Sequence, residues 1–360
     1  MTKSPLIFLG AGASAPFNVP TMKNMVNLFE KELGEKGQDN QIDLWNNVKL
    51  RLQAAFGVDN VDIEHMLTFF SSPIIDPSRL SPNVIYGCDI IEKNPIQVAD
   101  PEIAKAITID LKDFIYRHCD IQAHERIFPV YSMLWKIISV MMNFGVHEFY
   151  MSDLEVFTTN YDRCFEIFYN MARTRSLSST EIVLDTGVKG RYYNPAYYGT
   201  TGPRLYKLHG SIRRYITRAD MVRLYDGLRR EGDPVNGDEV VKEWMIWPLT
   251  GKYIYQYPYS ELMDKFRQTL YDRRLWLFVG FSFRDEGIRL ILEEVNDRLK
   301  DQMRRGKRAP EKRLILVDRS ADQKKSIFQK YEKIRFYPVT GEFGEKSTFD
   351  KLAEVIGQVQ

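Results

Sequence analysis

Short apolar runs alternate along the chain with longer segments in which apolar residues recur every three or four positions. Five of these runs have the length of single strands, and they lie at residues 5–9, 154–159, 205–208, 275–279 and 314–317. A polar stretch to about residue 237 precedes one more strand-like run near 244–247. Strands that alternate with helices are typical of a parallel sheet with helices on both faces. The pattern therefore predicts an α/β fold with a Rossmann-like, doubly wound parallel sheet.

A long region without strand patterns separates the first apolar run from the second. Helical patterns in it cover residues 42–56, 102–118 and 124–144. Asp62 is placed to cap a further helix, and Thr21 to cap one that precedes the region. Residues 72–100 contain several prolines and no clear period. We interpret residues 42–147 as a large helical insertion within a single domain that spans residues 1–360.

The composition describes a folded chain without a strong electrostatic bias. Its formal net charge is +2, so bulk charge gives no argument for binding nucleic acid or a membrane. The three cysteines, Cys88, Cys119 and Cys164, form no C-x-x-C pair, which fits a reducing compartment and argues against a zinc ribbon. The longest apolar helix candidate, 130–144, is too short to span a bilayer. We therefore expect a cytoplasmic protein without a metal site, in which the basic cluster 304–308 is a solvated loop.

Polar or small residues directly follow four of the predicted strands. They occupy positions 10–14, 160–162, 209–211 and 280–282. In a doubly wound sheet, ligands bind outside the carboxyl ends of the strands, so these segments are expected to share a site. Gly10 and Gly12 allow a tight turn and a close approach of the backbone to a ligand. The helix N-terminus that follows would suit an anion such as a pyrophosphate.

The glycine loop alone leaves several interpretations open. Its spacing fits a nucleotide-binding loop, an ordinary dinucleotide fold or a plain tight turn. A dehydrogenase would need an acidic residue about 20 positions further on, at the end of a second strand. Glu30 lies at that distance but within a helical pattern, and no second strand precedes it. The sequence therefore disfavours a dehydrogenase.

Taken together, the four segments resemble the motifs of the SIR2, or sirtuin-like, family. The matches are residues 10–14 with its GAGxS loop, 19–20 with the Val/Ile-Pro step that follows, 159–162 with TxNxD, 208–211 with the HG motif, and 280–282 with GTS or GYS. They occur in the family's order along nearly the whole chain. The resemblance implies the NAD-binding α/β fold of that family.

Differences from the family pattern indicate which members of the family the chain resembles. The two C-x-x-C pairs of the deacylase zinc module are absent, and Asn18, Met22 and Lys23 replace the residues usual after the glycine loop. The helical insertion before Asn160 is also unlike a deacylase. The chain therefore resembles the bacterial SIR2-like NADases of antiphage defence more than it resembles the deacylases.

The resemblance implies roles for three polar residues. Asn160 would orient the attacking water or the ribose, and Asp162 would hold the carboxamide of nicotinamide. His209 would act on a ribose hydroxyl or as a base toward water, since its ordinary pKa lies near neutral pH. Other interpretations stay open: a structural histidine, a turn residue at Asn160, and helix N-caps at Asp162 and Asp285.

The resemblance also implies a set of residues that bind NAD+. In the glycine loop, Gly10, Ala11, Gly12 and Ser14 would cradle the pyrophosphate. Ser282 would contact the phosphates or the neighbouring ribose. Asp318, directly after the run 314–317, is placed to accept hydrogen bonds from ribose hydroxyls.

The implied activity is that of an NAD+ glycohydrolase, which cleaves its substrate NAD+ to nicotinamide and ADP-ribose as an abortive-infection effector. Cleavage passes through an oxocarbenium-like centre, as in glycoside hydrolysis. Because nicotinamide leaves as a neutral molecule, the reaction needs oriented polar groups and an ordered water more than a strong acid. The implied partners are further copies of the chain and a DNA-translocase-type (HerA-like) ATPase. A non-catalytic NAD or ADP-ribose sensor, or an assembly module of a nuclease or ATPase defence complex, stay open as alternatives.

Overall fold

The computed structural model describes residues 4–37, 39–57, 61–70, 101–121, 124–141, 154–175, 184–199, 202–220, 223–230, 232–245, 257–307 and 309–359. The chain forms two compact units. The sheet unit comprises Met1–Val19, Ile121–Met245 and Gln256–Gln360, and the helical unit comprises Pro20–Asp120 and Ile246–Tyr255. The predicted irregular segment 72–100 lies outside the described residues.

Helices build the described part of the helical unit. They are α1 (Met22–Glu35), α2 (Asp39–Phe56), α3 (Ile63–Phe70) and α4 (Pro101–Cys119). Both predicted caps are confirmed: the Thr21 hydroxyl accepts a hydrogen bond from the N–H of the third residue of α1 (3.4 Å), and Asp62 Oδ1 accepts two from the start of α3 (3.1 and 3.2 Å). Buried aromatic rings fill the interior, with the ring centres of Phe29 and Trp45 4.8 Å apart. The helical unit thus begins with α1, ahead of the predicted start of the insertion at residue 42.

Strands in the described residues belong to the sheet unit. They are β1 (Leu6–Leu9), β2 (Glu155–Thr158), β3 (Val188–Lys189), β4 (Tyr192–Tyr193), β5 (Arg204–Lys207), β6 (Gly210–Thr217), β7 (Leu224–Asp226), β8 (Pro234–Val235), β9 (Asp238–Met245), β10 (Leu275–Val279), β11 (Lys312–Asp318) and β12 (Ile334–Thr340). The predicted strands at residues 275–279, 205–208 and 314–317 all appear within one or two residues of their expected bounds.

Six of these strands form one parallel sheet in the order β12-β11-β10-β1-β2-β5. If only these six strands are numbered along the chain, their order is 6-5-4-1-2-3, which is the Rossmann order read from the other edge of the sheet. The order reverses direction between β1 and β10. All four residues of β1 are buried, because strands flank it on both sides and helices cover both faces of such a sheet. The predicted doubly wound parallel sheet is confirmed.

The helices of the sheet unit connect these strands. They are α5 (Ile127–Met141), α6 (Cys164–Arg175), α7 (Tyr259–Asp272), α8 (Glu286–Arg304), α9 (Lys325–Phe328) and α10 (Lys346–Val359). The α5 helix, predicted as part of the insertion, packs instead within the sheet unit on α6 and α10. None of the helices in the described ranges is long and apolar enough to cross a membrane.

A second, antiparallel sheet lies in the chain between β5 and α7. Its strand order is β3-β4-β7-β6-β9-β8. Only the strand near residue 244 was expected from the sequence; β9 ends at Met245, and residues 246–247 lie outside the described part of the chain. The other strands are short or rich in charged and aromatic residues, so they show no clear alternation of apolar and polar positions. This sheet is therefore an addition to the predicted architecture.

Candidate functional site

Two glycine-containing loops meet at the point where the strand order reverses. A Cβ atom on Gly10 would lie 2.6 Å from the main-chain oxygen of Gly280, and one on Gly12 would lie 2.7 Å from its Cα atom. Gly280 itself has φ +63°, and its own Cβ would lie 2.3 Å from the nitrogen of Ala13. The loops after β1 and β10 therefore pack backbone against backbone. Glycine is required at these positions by the contact between the two loops.

The hydrogen bonds of the glycine loop follow from that contact. Gly12 donates its N–H to the oxygen of Gly280 (2.9 Å), and Ser14 donates its N–H to the oxygen of Ala11 (3.1 Å). The N–H of Ala11 donates to no acceptor among the described residues. Of the residues predicted to cradle a pyrophosphate, Ala11 thus offers a main-chain donor directly. The predicted phosphate role of the loop as a whole stays a prediction.

Asn160 is locked in place at the end of β2. Its Nδ2 atom donates to the oxygen of Gly10 (2.9 Å) and to the hydroxyl of Ser14 (3.0 Å). Its main-chain N–H donates to the hydroxyl of Thr158 (3.0 Å), which in turn donates to the oxygen of Leu9 (2.8 Å). The main-chain oxygen of Gly10 can only accept a hydrogen bond, so the side-chain nitrogen of Asn160, and not its oxygen, must face the glycine loop. The Oδ1 atom, which accepts no hydrogen bond from the described residues, stays available to a water or a ligand hydroxyl.

Asp162 and Lys207 shape the loop that carries Asn160. The carboxylate of Asp162 accepts a hydrogen bond from the N–H of Cys164 (2.9 Å) at the start of α6, so it caps that helix. Lys207, buried at the end of β5, donates to the main-chain oxygens of Tyr161 (3.2 Å) and Asp162 and to Glu166 Oε1 (3.2 Å). The buried ammonium group of Lys207 therefore fixes the main chain of this loop. A contact of Asp162 with nicotinamide stays a prediction.

His209 follows β5 and is largely buried. Its Nε2 atom lies 3.0 Å from Oδ2 of Asp285, although the contact is not aligned as a hydrogen bond. β5 and β10 are three positions apart in the sheet, about 14 Å, so these two loops reach toward each other across the carboxyl edge. The pair bridges the ends of β2 and β1, which carry Asn160 and the glycine loop.

Asp285 has two functions in this arrangement. Its Oδ1 atom accepts a hydrogen bond from the N–H of Ile288 (3.0 Å), which confirms the predicted N-cap of α8. Burial would raise the pKa of its carboxyl group, but the charge of His209 and the helix N–H groups outweigh burial and hold the pKa below its ordinary value. Asp285 is therefore an anion that faces His209 at neutral pH.

The remaining two predicted binding residues lie at the same edge of the sheet. Ser282 is exposed, two residues after Gly280. Asp318, the last residue of β11, accepts hydrogen bonds from the N–H (2.9 Å) and hydroxyl (2.8 Å) of Ser320 through Oδ1. Their predicted contacts with phosphate and ribose stay predictions.

The structure connects the four predicted segments by contacts of their own residues or of residues close to them in the sequence. The glycine loop touches Gly280 and Asn160, the N–H of Ile212 reaches the oxygen of Tyr161 (3.5 Å), and His209 meets the start of α8. The role of Lys207 in holding the loop after β2 and the contact of Asp285 with His209 were not predicted. An aspartate before a helix indicates only a cap, and its partner lies far away in the sequence.

The strand order and the loops at its reversal point define a doubly wound α/β protein, and these loops form the candidate site at the carboxyl edge of the sheet. The chain belongs to the SIR2-like domain family, whose model matches residues 154–337, just over half of the chain. The predicted resemblance is thereby confirmed at the level of the family. The matched range includes the segments after β2, β5 and β10. No curated protein matches the chain.

Several solved structures are similar to the whole chain at low sequence identity. One, described as bearing on the mechanism and regulation of Sir2 enzymes, is 14% identical with a TM-score of 0.42, covering 99% of this chain and 93% of that chain. A Sir2 homologue in complex with NAD is 10% identical with a TM-score of 0.42, covering 99% and 91%. A mutant Sir2 homologue with ADP-ribose is 12% identical with a TM-score of 0.42, covering 99% and 93%.

Proposed function

We propose that this protein is an NAD+ glycohydrolase that hydrolyses NAD+ to nicotinamide and ADP-ribose. The observation that carries the proposal is the fixed amide of Asn160, beside the reversal point of a SIR2-like sheet, whose Oδ1 atom accepts no hydrogen bond from the described residues. An oriented acceptor of this kind is what hydrolysis of a glycosidic C–N bond requires, because the chemistry depends on placing a water or a ribose hydroxyl.

The bond that breaks joins C1′ of the ribose to the pyridinium nitrogen. As it lengthens, positive charge moves from the ring nitrogen to the ribose, and nicotinamide departs as a neutral molecule. No proton has to reach the leaving group. The protein must therefore hold the ribose, place a water near C1′ and exclude bulk solvent.

Asn160 holds the attacking water or the ribose in position. Its Oδ1 atom accepts a hydrogen bond from the attacking water or from a ribose hydroxyl, and the two bonds from Nδ2 prevent the amide from rotating. The position of the acceptor is therefore set by the backbone of β1 and β2, before any substrate binds.

His209 supplies a proton acceptor next to this position. The imidazole accepts a proton from a ribose hydroxyl or from water, and the Asp285 carboxylate 3.0 Å from Nε2 stabilises the imidazolium that forms. Asp285 is in turn fixed as the cap of α8. We therefore assign Asp285 as the residue that positions His209.

The nucleotide binds along the same edge of the sheet in this proposal. The N–H of Ala11 and the loop from Gly10 to Ser14 face the pyrophosphate, with Ser282 beside it. Asp318 accepts hydrogen bonds from ribose hydroxyls through Oδ2, and Asp162 lies toward the nicotinamide carboxamide.

The biological setting follows from the motif resemblance. We infer a cytoplasmic abortive-infection effector that depletes NAD+ when phage infection is sensed. The chain would act as a homo-oligomer, with a HerA-like DNA-translocase ATPase as its partner. Co-expression with such an ATPase, followed by size-exclusion chromatography and a cellular NAD+ assay, tests the partnership.

The activity is tested by incubating the purified chain with NAD+ and quantifying products by liquid chromatography and mass spectrometry. We expect equimolar nicotinamide and ADP-ribose from the wild type, and from the control His118→Ala in the helical unit. Nicotinamide release that requires an acetylated peptide would contradict hydrolysis and indicate deacylation. NAD+ that binds without turnover, alone or with the ATPase, would indicate a sensor.

A further inference from the structure

Arg214 is a buried guanidinium group that forms no ion pair with a described residue. It lies on β6 in the antiparallel sheet and is 3% exposed. No carboxylate of the described residues lies within 4.0 Å of it, and its cross-strand neighbour Asp226 contacts Arg213 instead (3.7 Å). Its Nη2 atom makes one long hydrogen bond to the oxygen of Thr186 (3.5 Å), and Nη1 has no hydrogen-bond partner in the part of the chain that the structure describes. Arginine does not lose its charge in proteins, so a full positive charge is buried here.

Further hydrogen-bond donors without an aligned acceptor lie on neighbouring aromatic residues. The hydroxyl of Tyr259 and the indole N–H of Trp244 are buried and have no hydrogen-bond partner among the described residues. The buried hydroxyl of Tyr193 lies near Tyr198 and Arg214 but is not aligned with either as a hydrogen bond. Burial raises the pKa of Tyr193 and Tyr259 above the ordinary value, so their hydroxyls keep their protons at neutral pH. The indole can only donate. The unsatisfied groups of this cluster therefore share one requirement, which is an acceptor.

The cluster is compact and lies beside the candidate site. The guanidinium carbon of Arg214 is 3.5 Å from the ring centre of Tyr193, and the rings of Tyr259 and Trp244 stack with centres 5.9 Å apart. A Cβ atom on Gly210, the residue after His209, would lie 3.0 Å from the hydroxyl of Tyr259. Gly210 has φ +87°, and its Cβ would also lie 2.3 Å from the main-chain oxygen of Trp244, so the glycine allows close packing of β6 on β9 beside the cluster.

Packing within the cluster does not compensate the charge. A cation–π contact with Tyr193 recovers only part of the cost of burying an ion. A buried water could accept hydrogen bonds from some of the donors, but it carries no charge. An oxyanion satisfies both requirements, because each oxygen accepts hydrogen bonds and the group is negatively charged.

We propose that Arg214, Tyr193 and Tyr259 form a binding site for a compact oxyanion, a phosphate or carboxylate group, next to His209. Trp244 completes the set of donors. The anion is either a free ion or the end of a larger ligand, and in both cases the recognising chemistry is the same. The proposal does not depend on NAD+ hydrolysis, because binding alone reports on it.

The test measures binding of inorganic phosphate and of acetate by isothermal titration calorimetry in a low-chloride buffer. We expect saturable binding to the wild type and a loss of affinity of at least about tenfold in Arg214→Met. Tyr193→Phe and Tyr259→Phe, which remove one hydroxyl each, should lose about fivefold each. Matched controls are Tyr192→Phe on the same strand and Arg218→Met, whose side chain is 71% exposed. Both should stay within about twofold of the wild type.

Thermal unfolding gives a second, independent measurement of phosphate binding. Phosphate should raise the unfolding midpoint of the wild type but not that of Arg214→Met. If Arg214→Met fails to fold, the two tyrosine variants still decide the question. No saturable binding of either anion to the folded wild type would overturn the proposal, as would binding that none of the three variants weakens.

Saturating ADP-ribose distinguishes the two sources of the anion. Phosphate binding that persists in its presence and is weakened in Tyr259→Phe indicates a site for a free anion. Phosphate that ADP-ribose displaces, again with weakening in Tyr259→Phe, assigns the site to a phosphate of the nucleotide. Displacement without any effect of Tyr259→Phe would place the phosphate on the glycine loop and contradict the proposal.

Discussion

The loops that carry Asn160 and His209 lie at the same edge of the sheet but are built differently. Three hydrogen bonds hold Asn160: one ends on Thr158 of β2, and two end on Gly10 and Ser14 in the loop that follows β1. Among the described residues, the side chain of His209 makes one polar contact, with the carboxylate of Asp285. Asp285 follows β10, which lies on the other side of the strand reversal. The position of Asn160 is thus a property of the sheet, whereas the state of His209 depends on one charged group.

This difference separates two kinds of substitution. Changes to the glycines around Asn160 alter the packing of the two loops, so they should act first on folding. Changes at Asp285 leave that packing intact and should act on the chemistry of His209. Four measurements test whether the two kinds of substitution have these different effects.

The largest effect is expected for Gly280→Ala. Its Cβ would lie 2.3 Å from main-chain atoms of Gly12 and Ala13, in a conformation with φ +63°. We expect a loss of at least about 3 kcal/mol in the free energy of unfolding, from backbone strain and overpacking together.

Gly306→Ala is the matched control, with φ +71° and no atom within 4 Å of its Cβ. It should lose only about 1 kcal/mol, the cost of a left-handed conformation alone. Denaturant unfolding measures both variants. Equal losses would show that the contact between the two glycine loops does not stabilise the fold.

His209→Ala comes next. It removes the proton acceptor, and we expect the rate of nicotinamide release to fall roughly 100-fold or more, within the range that general bases contribute. The free energy of unfolding should also fall, because the variant leaves a cavity at a buried position and removes the group that faces the Asp285 carboxylate. A folded variant with wild-type turnover would remove His209 from the mechanism.

Asp285→Asn should have the smaller effect. Asparagine keeps the cap of α8 but removes the negative charge beside His209, so we expect a roughly tenfold loss of turnover. Because the pKa of Asp285 is held below its ordinary 3.8, its ionised form stabilises the fold above that pH. The stabilisation is lost as the pH falls through the lower folded value.

The difference in unfolding free energy between wild type and Asp285→Asn should therefore be present above the ordinary value of 3.8 and shrink as the pH falls through the lower pKa of the folded protein. Urea unfolding at several pH values measures it. A difference that does not depend on pH would show that the carboxylate does not interact with a positive charge in the folded protein.

The parts of the structure that the sequence predicts are those with a strong local signal. The parallel strands are continuous apolar runs, and the residues that follow them identify the edge where ligands bind. The caps at Thr21, Asp62 and Asp285 are confirmed because capping depends on neighbours only.

The parts that escape prediction depend on contacts between distant residues. The short strands β3, β4 and β7 carry tyrosines and charges that hide their alternation. Arg214 lies in a stretch that is polar by composition, and its burial follows only from the sheet. The pairing of His209 with Asp285 joins positions 76 residues apart, for which no local pattern exists.

The most direct test of the account compares Asn160→Ala with the wild type, in turnover of NAD+ and in NAD+ binding by calorimetry. Alanine removes the Oδ1 acceptor, so we expect nicotinamide release to fall about 100-fold or more while NAD+ affinity stays within about tenfold. Asn160→Asp keeps an acceptor but loses both Nδ2 donors, and it should also be impaired. A folded Asn160→Ala variant that hydrolyses NAD+ at the wild-type rate would contradict the central claim that this fixed amide orients the reaction.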